Sequence, residues 1–466
     1  MKSPVPKLFG TDGIRGLANE GPLEASRVLH LGEVTARVLG RSKLRGPRVG
    51  LGWDTRISSP LLAAALSAGL SAGRAEVLRF GVMPTPAVSL LTRHYGLDAG
   101  IVISASHNPA EDNGIKYFSS TGGKFPERLE RALERGLATT RPQPEASGVR
   151  LGAIVDLAGE AAAVYARHLI RRFRSPRWRK LHLVADLAHG ATCRTAPTVL
   201  AGLGVRAEYL ADAPDGLNIN RDCGSLHPQA MARAVVRNRA HAGLAFDGDG
   251  DRVMLADETG AILNGDRLLG ILALHYARSG QLPGRTVVAT VMTNLGLEHF
   301  LRQHGIRLKR TAVGDRFVAQ ALARRRWALG GEQSGHLLLP RLEPTGDGLL
   351  TALEVLSVLA AGRAPLSQLA AGWKDFPQLL VNVRVSRRPD LASLPAVRPV
   401  LDAARRSLAD RGRVNLRYSG TENLARVMVE AENADQAETW ADRLADAVEQ
   451  AIGDGRKRIK TWLTCA

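Results

Sequence analysis

Aromatic residues are scarce, 5% of the chain, and cysteine is scarcer still, with three in 466 residues. Cys193, Cys223 and Cys465 are odd in number and lack CxxC spacing, which argues against a disulfide framework or a structural zinc site. They read as ordinary thiols. No apolar run approaches the ~20 residues a membrane span requires, and "MKSPVPKLFGTDGIRG" has no signal-peptide core. A soluble, cytoplasmic protein without membrane contact is expected. Acidic residues are also short: 45 Asp and Glu face 63 Lys and Arg, a net charge of +18 at pH 7. Such an excess favours anionic partners through the field of the whole molecule. Basic runs such as "RHLIRRFRSPRWRK" (Arg167 to Lys180) and "ARRRW" (Ala323 to Trp327) offer phosphate contacts. No aromatic stacking motif interleaves with them, so a solvated surface is the preferred reading over nucleic-acid binding.

What is present is an alternation of strands and helices, repeated three times. "RVGLGW", "AEVLRFG" and "AGIVIS" read as strands of the first segment, with a helix through "SSPLLAAALSAGLSAG". "LHLVADL", "VRAEYL" and "AGLAF" repeat the plan, as do "RTVVATV", "IRLKRT" and "WALGG". Short connections predict three similar α/β domains with mixed, largely parallel sheets. The remainder, "LLVNVRV", "RVNLRY" and "LARVMVEA" with two helices, predicts a smaller C-terminal α+β domain. The expected boundaries are 1–150, 151–253, 254–366 and 367–452, with a basic, flexible tail at 453–466. "TTRPQPEASG" and "AAGRAPLSQLAAGWKDFP" read as linkers.

Each α/β segment ends its last strand in a polar loop, and ligands of open α/β sheets gather beyond the carboxyl ends of strands. Three loops are therefore expected to face one central cleft, "SASHNP", "DGDGDR" and "GEQSGH", and the last domain brings a fourth, "RYSGTEN". The first carries Ser104, Ser106 and His107. Alone it reads equally as a turn set by Asn108 and Pro109 with capping serines. The second alternates Asp247, Asp249 and Asp251 with glycine, a compact oxygen site for a hard divalent cation that leaves room for a phosphate, which suits Mg²⁺. An EF-hand is the competing pattern, with Glu258 as the further ligand. Arg252 stands where that turn needs glycine, and the flanks look like strands. In the third loop Glu332, Ser334 and His336 suit sugar hydroxyls or an amine, although a histidine alone is more often structural. The fourth combines Arg417 and Arg426 with hydroxyls and the amides around Gly420, a cradle for a phosphate dianion.

These loops, with "GTDGIRG" and "VGDRFV", occur in the order and register of the α-D-phosphohexomutase superfamily, and the chain to about Ile452 resembles it, most closely the bacterial phosphoglucosamine mutases. The resemblance implies an isomerase that interconverts glucosamine 6-phosphate and glucosamine 1-phosphate through a 1,6-bisphosphate, toward UDP-N-acetylglucosamine and peptidoglycan. A phosphomannomutase or phosphoglucomutase of the same superfamily is the alternative. It implies a phosphoryl group on Ser106, with Ser104 at a more variable position. It also implies one Mg²⁺ on Asp247, Asp249, Asp251 and a phosphoserine oxygen. Arg15 and Arg252 would stabilise charge, and Lys116, with a depressed pKa, would be the general base. Glu332, Ser334 and His336 would bind the sugar, and Arg417, Ser419, Gly420, Thr421 and Arg426 its remote phosphate. A hexose 1,6-bisphosphate or a kinase would phosphorylate Ser106. The expected partners are small-molecule sugar phosphates, with a homodimer allowed. One departure is visible: after "SGTE" the family commonly has proline, and this chain has Asn423.

Overall fold

A computed structural model of the chain describes residues 8–10, 12–40, 46–139, 147–362, 364–419, 422–456 and 458–463. It divides into two compact units, Met1–Thr290 with Thr311–Ala370, and Val291–Arg310 with Ala371–Ala466. No helix among the described residues is long and apolar enough to cross a membrane.

The first unit begins with β1 (Ile14–Leu17), α1 (Ala25–Gly40), β2 (Arg48–Trp53), α2 (Ser59–Ala72), β3 (Glu76–Val82), α3 (Thr85–His94), β4 (Ala99–Ile103), β5 (Asp112–Ser119), α4 (Glu127–Thr139) and β6 (Ile154–Asp156). Their sheet runs β1-β5-β4-β2-β3-β6. Strands β4, β2, β3 and β6 are parallel, while β5 returns antiparallel beside β4 and carries β1. Val49, Leu51, Ile101 and Ile103 are fully buried in one core with Leu31 of α1 and Leu62 and Leu66 of α2. Strands covered on both faces read as continuous apolar runs, which is why "RVGLGW" and "AGIVIS" lack alternation.

A second sheet, ordered β11-β10-β9-β7-β8, is built by β7 (His182–Asp186), β8 (Arg206–Leu210), β9 (Ala242–Phe246), β10 (Val253–Asp257) and β11 (Ile262–Leu263), with α5 (Ala158–Arg172), α6 (Ala196–Leu203) and α7 (Gln229–Asn238) between strands. Strands β9, β7 and β8 are parallel; β10 and β11 run antiparallel. Next come α8 (Gly265–Arg278), β12 (Thr286–Thr290), α9 (Leu295–Gln303), β13 (Arg307–Thr311), α10 (Asp315–Arg325), β14 (Gly330–Gly331), β15 (Leu337–Leu338), α11 (Gly348–Ala361) and α12 (Leu366–Ala370). Here β12 is parallel to β14, and β14 antiparallel to β15.

The second unit holds α9 and the smaller domain: β16 (Gln378–Arg384), α13 (Val397–Leu408), β17 (Gly412–Tyr418), β18 (Leu424–Ala431), α14 (Ala434–Ile452) and β19 (Ile459–Trp462). Its sheet, β17-β18-β16-β19, is antiparallel throughout. Three mixed α/β sheets and one antiparallel domain make the expected fold class.

Several details differ from the sequence reading. β6 joins the first sheet although residues 154–156 fall in the expected second domain, and β10 and β11 complete the second sheet although they fall almost wholly in the expected third. Local alternation marks a strand without naming its neighbour. The segment "AAGRAPLSQLAAGWKDFP" is more than a linker, since it contains α12 with a buried Leu366. Within the basic tail, Ile459–Trp462 forms a strand that pairs with β16. All four residues of that strand are exposed, so it carries no apolar signature. Its cations meet acids on α14 instead: Arg458 pairs with Asp446 and Glu449, and Lys460 with Glu438 and Asp442. The first linker falls mostly on residues 140–146, outside those described.

Candidate active site

Because β2 and β4 are parallel neighbours, their carboxyl ends deliver loops to the same edge. Ser104 and Ser106 follow β4, and Asp54 and Arg56 follow β2. Ser104 is buried; its hydroxyl donates to Asp54 Oδ2 at 2.6 Å and accepts from the Ser106 N–H at 2.8 Å. Ser106 itself lies in the left-handed region, with φ 56°, a conformation a non-glycine residue holds only when its surroundings impose it. Arg56 is the imposing group. Its guanidinium, fully buried, donates to the carbonyls of Ser106 (3.0 Å), Asn108 (2.9 Å), Pro109 and Asp112, and pairs with Asp54 at 2.8 Å. Asn220 adds a hydrogen bond to the Ser106 carbonyl at 2.9 Å.

The acidic loop begins immediately after β9. Asp247, Asp249 and Asp251 are buried, and each offers a carboxylate oxygen within 4.8 Å of the others. Ser106 Oγ donates to Asp247 Oδ2 at 2.6 Å. A Cβ on Gly248 would lie 2.6 Å from the Ser106 carbonyl oxygen, so only glycine allows the two loops to approach this closely. Asp249 accepts from Thr85 Oγ1 at 2.6 Å and from Lys116 Nζ at 2.8 Å. Among the described residues, the buried Oδ1 of Asp249 has no hydrogen-bond partner, and that of Asp251 has only the His336 ring, at 3.4 Å. Burial and the neighbouring Asp251 and Asp249 hold the Asp247 carboxyl well above its usual range. Crowded, desolvated oxygens, that of Asp249 left without a donor, fit a hard divalent cation. The flanking strands β9 and β10 exclude the EF-hand.

Lys116, on β5, corrects an expectation. It lies 3.1 Å from Asp12, 2.8 Å from Asp249 and 3.5 Å from Asp251. Burial alone would lower its pKa, but the three carboxylates outweigh burial and raise it. Its pocket is anionic, not cationic. Arg15, on β1, pairs with Asp12 at 3.0 Å and reaches Asn108 at 3.5 Å. Arg252 donates its backbone N–H to Asp247 at 3.1 Å, and its Nε lies 3.7 Å from Asp251. His107 Nδ1 is 3.2 Å from Ser106 Oγ. Burial, with Arg252 and Arg15 nearby, lowers its pKa to about 4, so the ring is neutral at pH 7.

The third loop reaches the same place. Gly335, at φ 87°, closes its turn where a Cβ would meet the Val253 carbonyl at 2.3 Å. His336 Nδ1 stands 3.4 Å from Asp251, and Nε2 stands 3.6 Å from Asp315. Glu332 accepts the Gly314 N–H at 3.0 Å, and Ser334 Oγ is buried without a hydrogen-bond partner among the described residues. Burial disfavours the His336 imidazolium, but Asp251 and Asp315 prevail and lift its pKa to about 9. The raised value means its contribution to stability is complete below the unfolded value of about 6.5 and is lost as pH rises through 9. In metal-free protein the His336 ring resonances should titrate near pH 9, and saturating Mg²⁺ should lower that midpoint; a midpoint of 6.5 without metal would refute the arrangement.

The fourth loop belongs to the second unit. Arg417 and Arg426 are direct cross-strand partners on β17 and β18. Like charges opposite one another are unfavourable, and burial together with Arg426 lowers the Arg417 pKa. Ser419 Oγ accepts from Arg426 at 3.2 Å. Gly420 and Thr421 lie outside the described residues.

Models of the phosphoglucomutase/phosphomannomutase α/β/α domains I, II and III match residues 6–143, 163–260 and 264–376, and that of the C-terminal domain matches 380–447. A phosphoglucosamine mutase of Moorella thermoacetica is 47% identical over 93% of this chain and 97% of its own, and one of Symbiobacterium thermophilum is 45% identical over 95% and 99%. The chain belongs to the phosphoglucosamine mutase family. An N-acetylphosphoglucosamine mutase of Aspergillus fumigatus, solved with GlcNAc-6P and magnesium, has the same fold, with a TM-score of 0.67 and 18% identity over 95% of this chain and 96% of that one.

In this phosphohexomutase the departure at Asn423 is accommodated locally: its side chain accepts from Arg388 at 3.1 Å, and its carbonyl accepts the Val385 N–H. Sequence reasoning missed Asp54, Arg56, Thr85, Asn220 and Asp12. The available signal was "WDTRIS", an acid and a base directly after an apolar strand. Cys193 and Cys223 are free thiols that burial pushes up to about 12; Cys465 lies outside the described residues.

Proposed function

We propose that the chain interconverts glucosamine 6-phosphate and glucosamine 1-phosphate, with Ser106 carrying the phosphoryl group. The observation that carries the proposal is the hydrogen bond from Ser106 Oγ to Asp247, which joins a strained, buried hydroxyl to a cation-type oxygen cluster. The names of the curated relatives support the hexosamine substrate. Phosphoserine 106 transfers its phosphoryl group to the 1-hydroxyl of glucosamine 6-phosphate: the O1–P bond forms as Oγ–P breaks. After the bisphosphate turns around, Ser106 Oγ takes the phosphate from carbon 6. A hexose 1,6-bisphosphate or a kinase would charge the serine initially.

Asp247, Asp249 and Asp251 would hold one Mg²⁺, and the bound ion would supply Lewis-acid stabilisation of the charge on the transferring group. Arg15 and Arg252 would neutralise charge on the same phosphate. Lys116 can accept the sugar hydroxyl proton only after the carboxylates around it are neutralised, since they hold its ammonium. Glu332, Ser334 and His336 would orient the sugar. Arg417, Ser419, Gly420, Thr421 and Arg426 would bind the remote phosphate, which accounts for two facing guanidiniums. Arg417→Ala should therefore raise KM for both glucosamine phosphates and release more bisphosphate. The loss of one charge-assisted contact, about 1.5–3 kcal/mol, lowers kcat/KM by about one to two decades. An unchanged KM in both directions would place the phosphate elsewhere.

Incubation with glucose 1,6-bisphosphate should add one phosphoryl group to the intact mass, and glucosamine 6-phosphate should discharge it. Faster turnover of mannose or glucose phosphates than of glucosamine phosphates would assign the chain to the phosphomannomutase/phosphoglucomutase alternative.

A further inference from the structure

The basic run Arg167 to Lys180, unused by the mutase reading, lines a separate cleft. Its cavity, about 1060 Å³, is bounded by the end of α5 and the turn after it, by α3, and by α8 and α11. It shares no lining residue with the cavity at Lys116, Asp251 and His336. Arg171, Arg174 and Arg177 line it and are exposed, and none of the three side chains ion-pairs or hydrogen-bonds with a described residue. That is unlike Arg93, which pairs with Glu343, or Arg316, which pairs with Glu130. The one carboxylate lining the cleft, Glu354, already accepts from the Tyr276 hydroxyl at 3.0 Å.

Arginine in the last turn of a helix complements the helix dipole, and this accounts for Arg171. It does not account for Arg174 and Arg177, which lie beyond α5, or for the concavity they share. The volume is that of a site for a small molecule. His94 on α3 and His275 on α8 add imidazole rings to the lining, and Trp178, 1% exposed, forms part of the boundary. A nucleic-acid strand needs an extended groove with aromatic platforms, whereas this cavity is bounded by four helices and a turn. We propose that the cleft binds a nucleoside di- or triphosphate, its phosphates on Arg171, Arg174 and Arg177 and its base against the imidazoles of His94 and His275.

The test uses the full chain in chelator, with ATP, tripolyphosphate and a single-stranded RNA oligonucleotide as probes, read by calorimetry. ATP should bind saturably, more weakly as salt rises, more tightly than tripolyphosphate, and without displacement by glucosamine 6-phosphate. Arg171→Ala/Arg174→Ala/Arg177→Ala should weaken ATP at least about tenfold while leaving the melting temperature and glucosamine phosphate turnover unchanged. Should the triple variant melt early, Arg174→Gln/Arg177→Gln, both beyond the helix, serves in its place with the same expectation. Binding that survives these substitutions, that glucosamine 6-phosphate abolishes, or that is absent below about 1 mM would overturn the proposal. Tighter binding of the RNA would assign the cleft to nucleic acid instead, and equal affinity for tripolyphosphate would remove the role of the imidazoles.

Discussion

Ser106→Ala is expected to fold normally and to lose turnover by about 10⁴-fold or more, the scale on which removing a covalent nucleophile acts. The backbone of the loop is held through groups that alanine retains: the Ser106 N–H on Ser104 Oγ and the Ser106 carbonyl on Arg56 and Asn220. What disappears is the oxygen 2.6 Å from Asp247. The variant should gain no mass with glucose 1,6-bisphosphate. Ser104→Ala should behave differently, since Ser104 touches Asp54 and the Ser106 N–H, not the acidic cluster. It should still take label on Ser106, with lower turnover because the Ser106 N–H is left unpaired. Phosphopeptide mapping that found the label on Ser104 would reverse the two roles.

Arg56→Met should cost about 3–5 kcal/mol of stability, because it strands the Asp54 carboxylate in a site from which water is excluded. Both side chains are 0% exposed. The same substitution takes the guanidinium from the carbonyls of Pro109 and Asp112 and leaves those of Ser106 and Asn108 to Asn220 alone, so the serine loop should lose its left-handed turn and its phosphorylation. Arg56→Lys keeps the charge but offers a point donor in place of a planar fork, and should restore part of the stability and little of the turnover. Arg56→Met/Asp54→Asn should also recover stability without activity, which separates a stranded charge from a misplaced serine. Urea unfolding of Arg56→Met within 1 kcal/mol of the parent would show that Asp54 finds water or another partner.

The order of strands and helices, and the loops that carry chemistry, were legible in the chain itself. A buried strand running into "SASHNP" and the alternation of aspartate with glycine in "DGDGD" are local features, and local sequence determines local conformation. The serine and the acid cluster are nonetheless 141 positions apart, and their meeting depends on which strands end side by side. That same neighbourhood was needed to reveal Arg56, 50 positions before the carbonyl it holds. Lys116 reads as a lone base in the chain, and only folding surrounds it with Asp12, Asp249 and Asp251, reversing its expected shift. β19 carries no apolar pattern at all; its place is set by the free edge of β16 and the acidic face of α14. Periodicity and turn chemistry act over a few residues, so the sequence by itself determined the elements and their loops. Charge, desolvation and strand pairing act between residues distant along the chain, so only the tertiary structure decided which groups share a site and in what state of protonation.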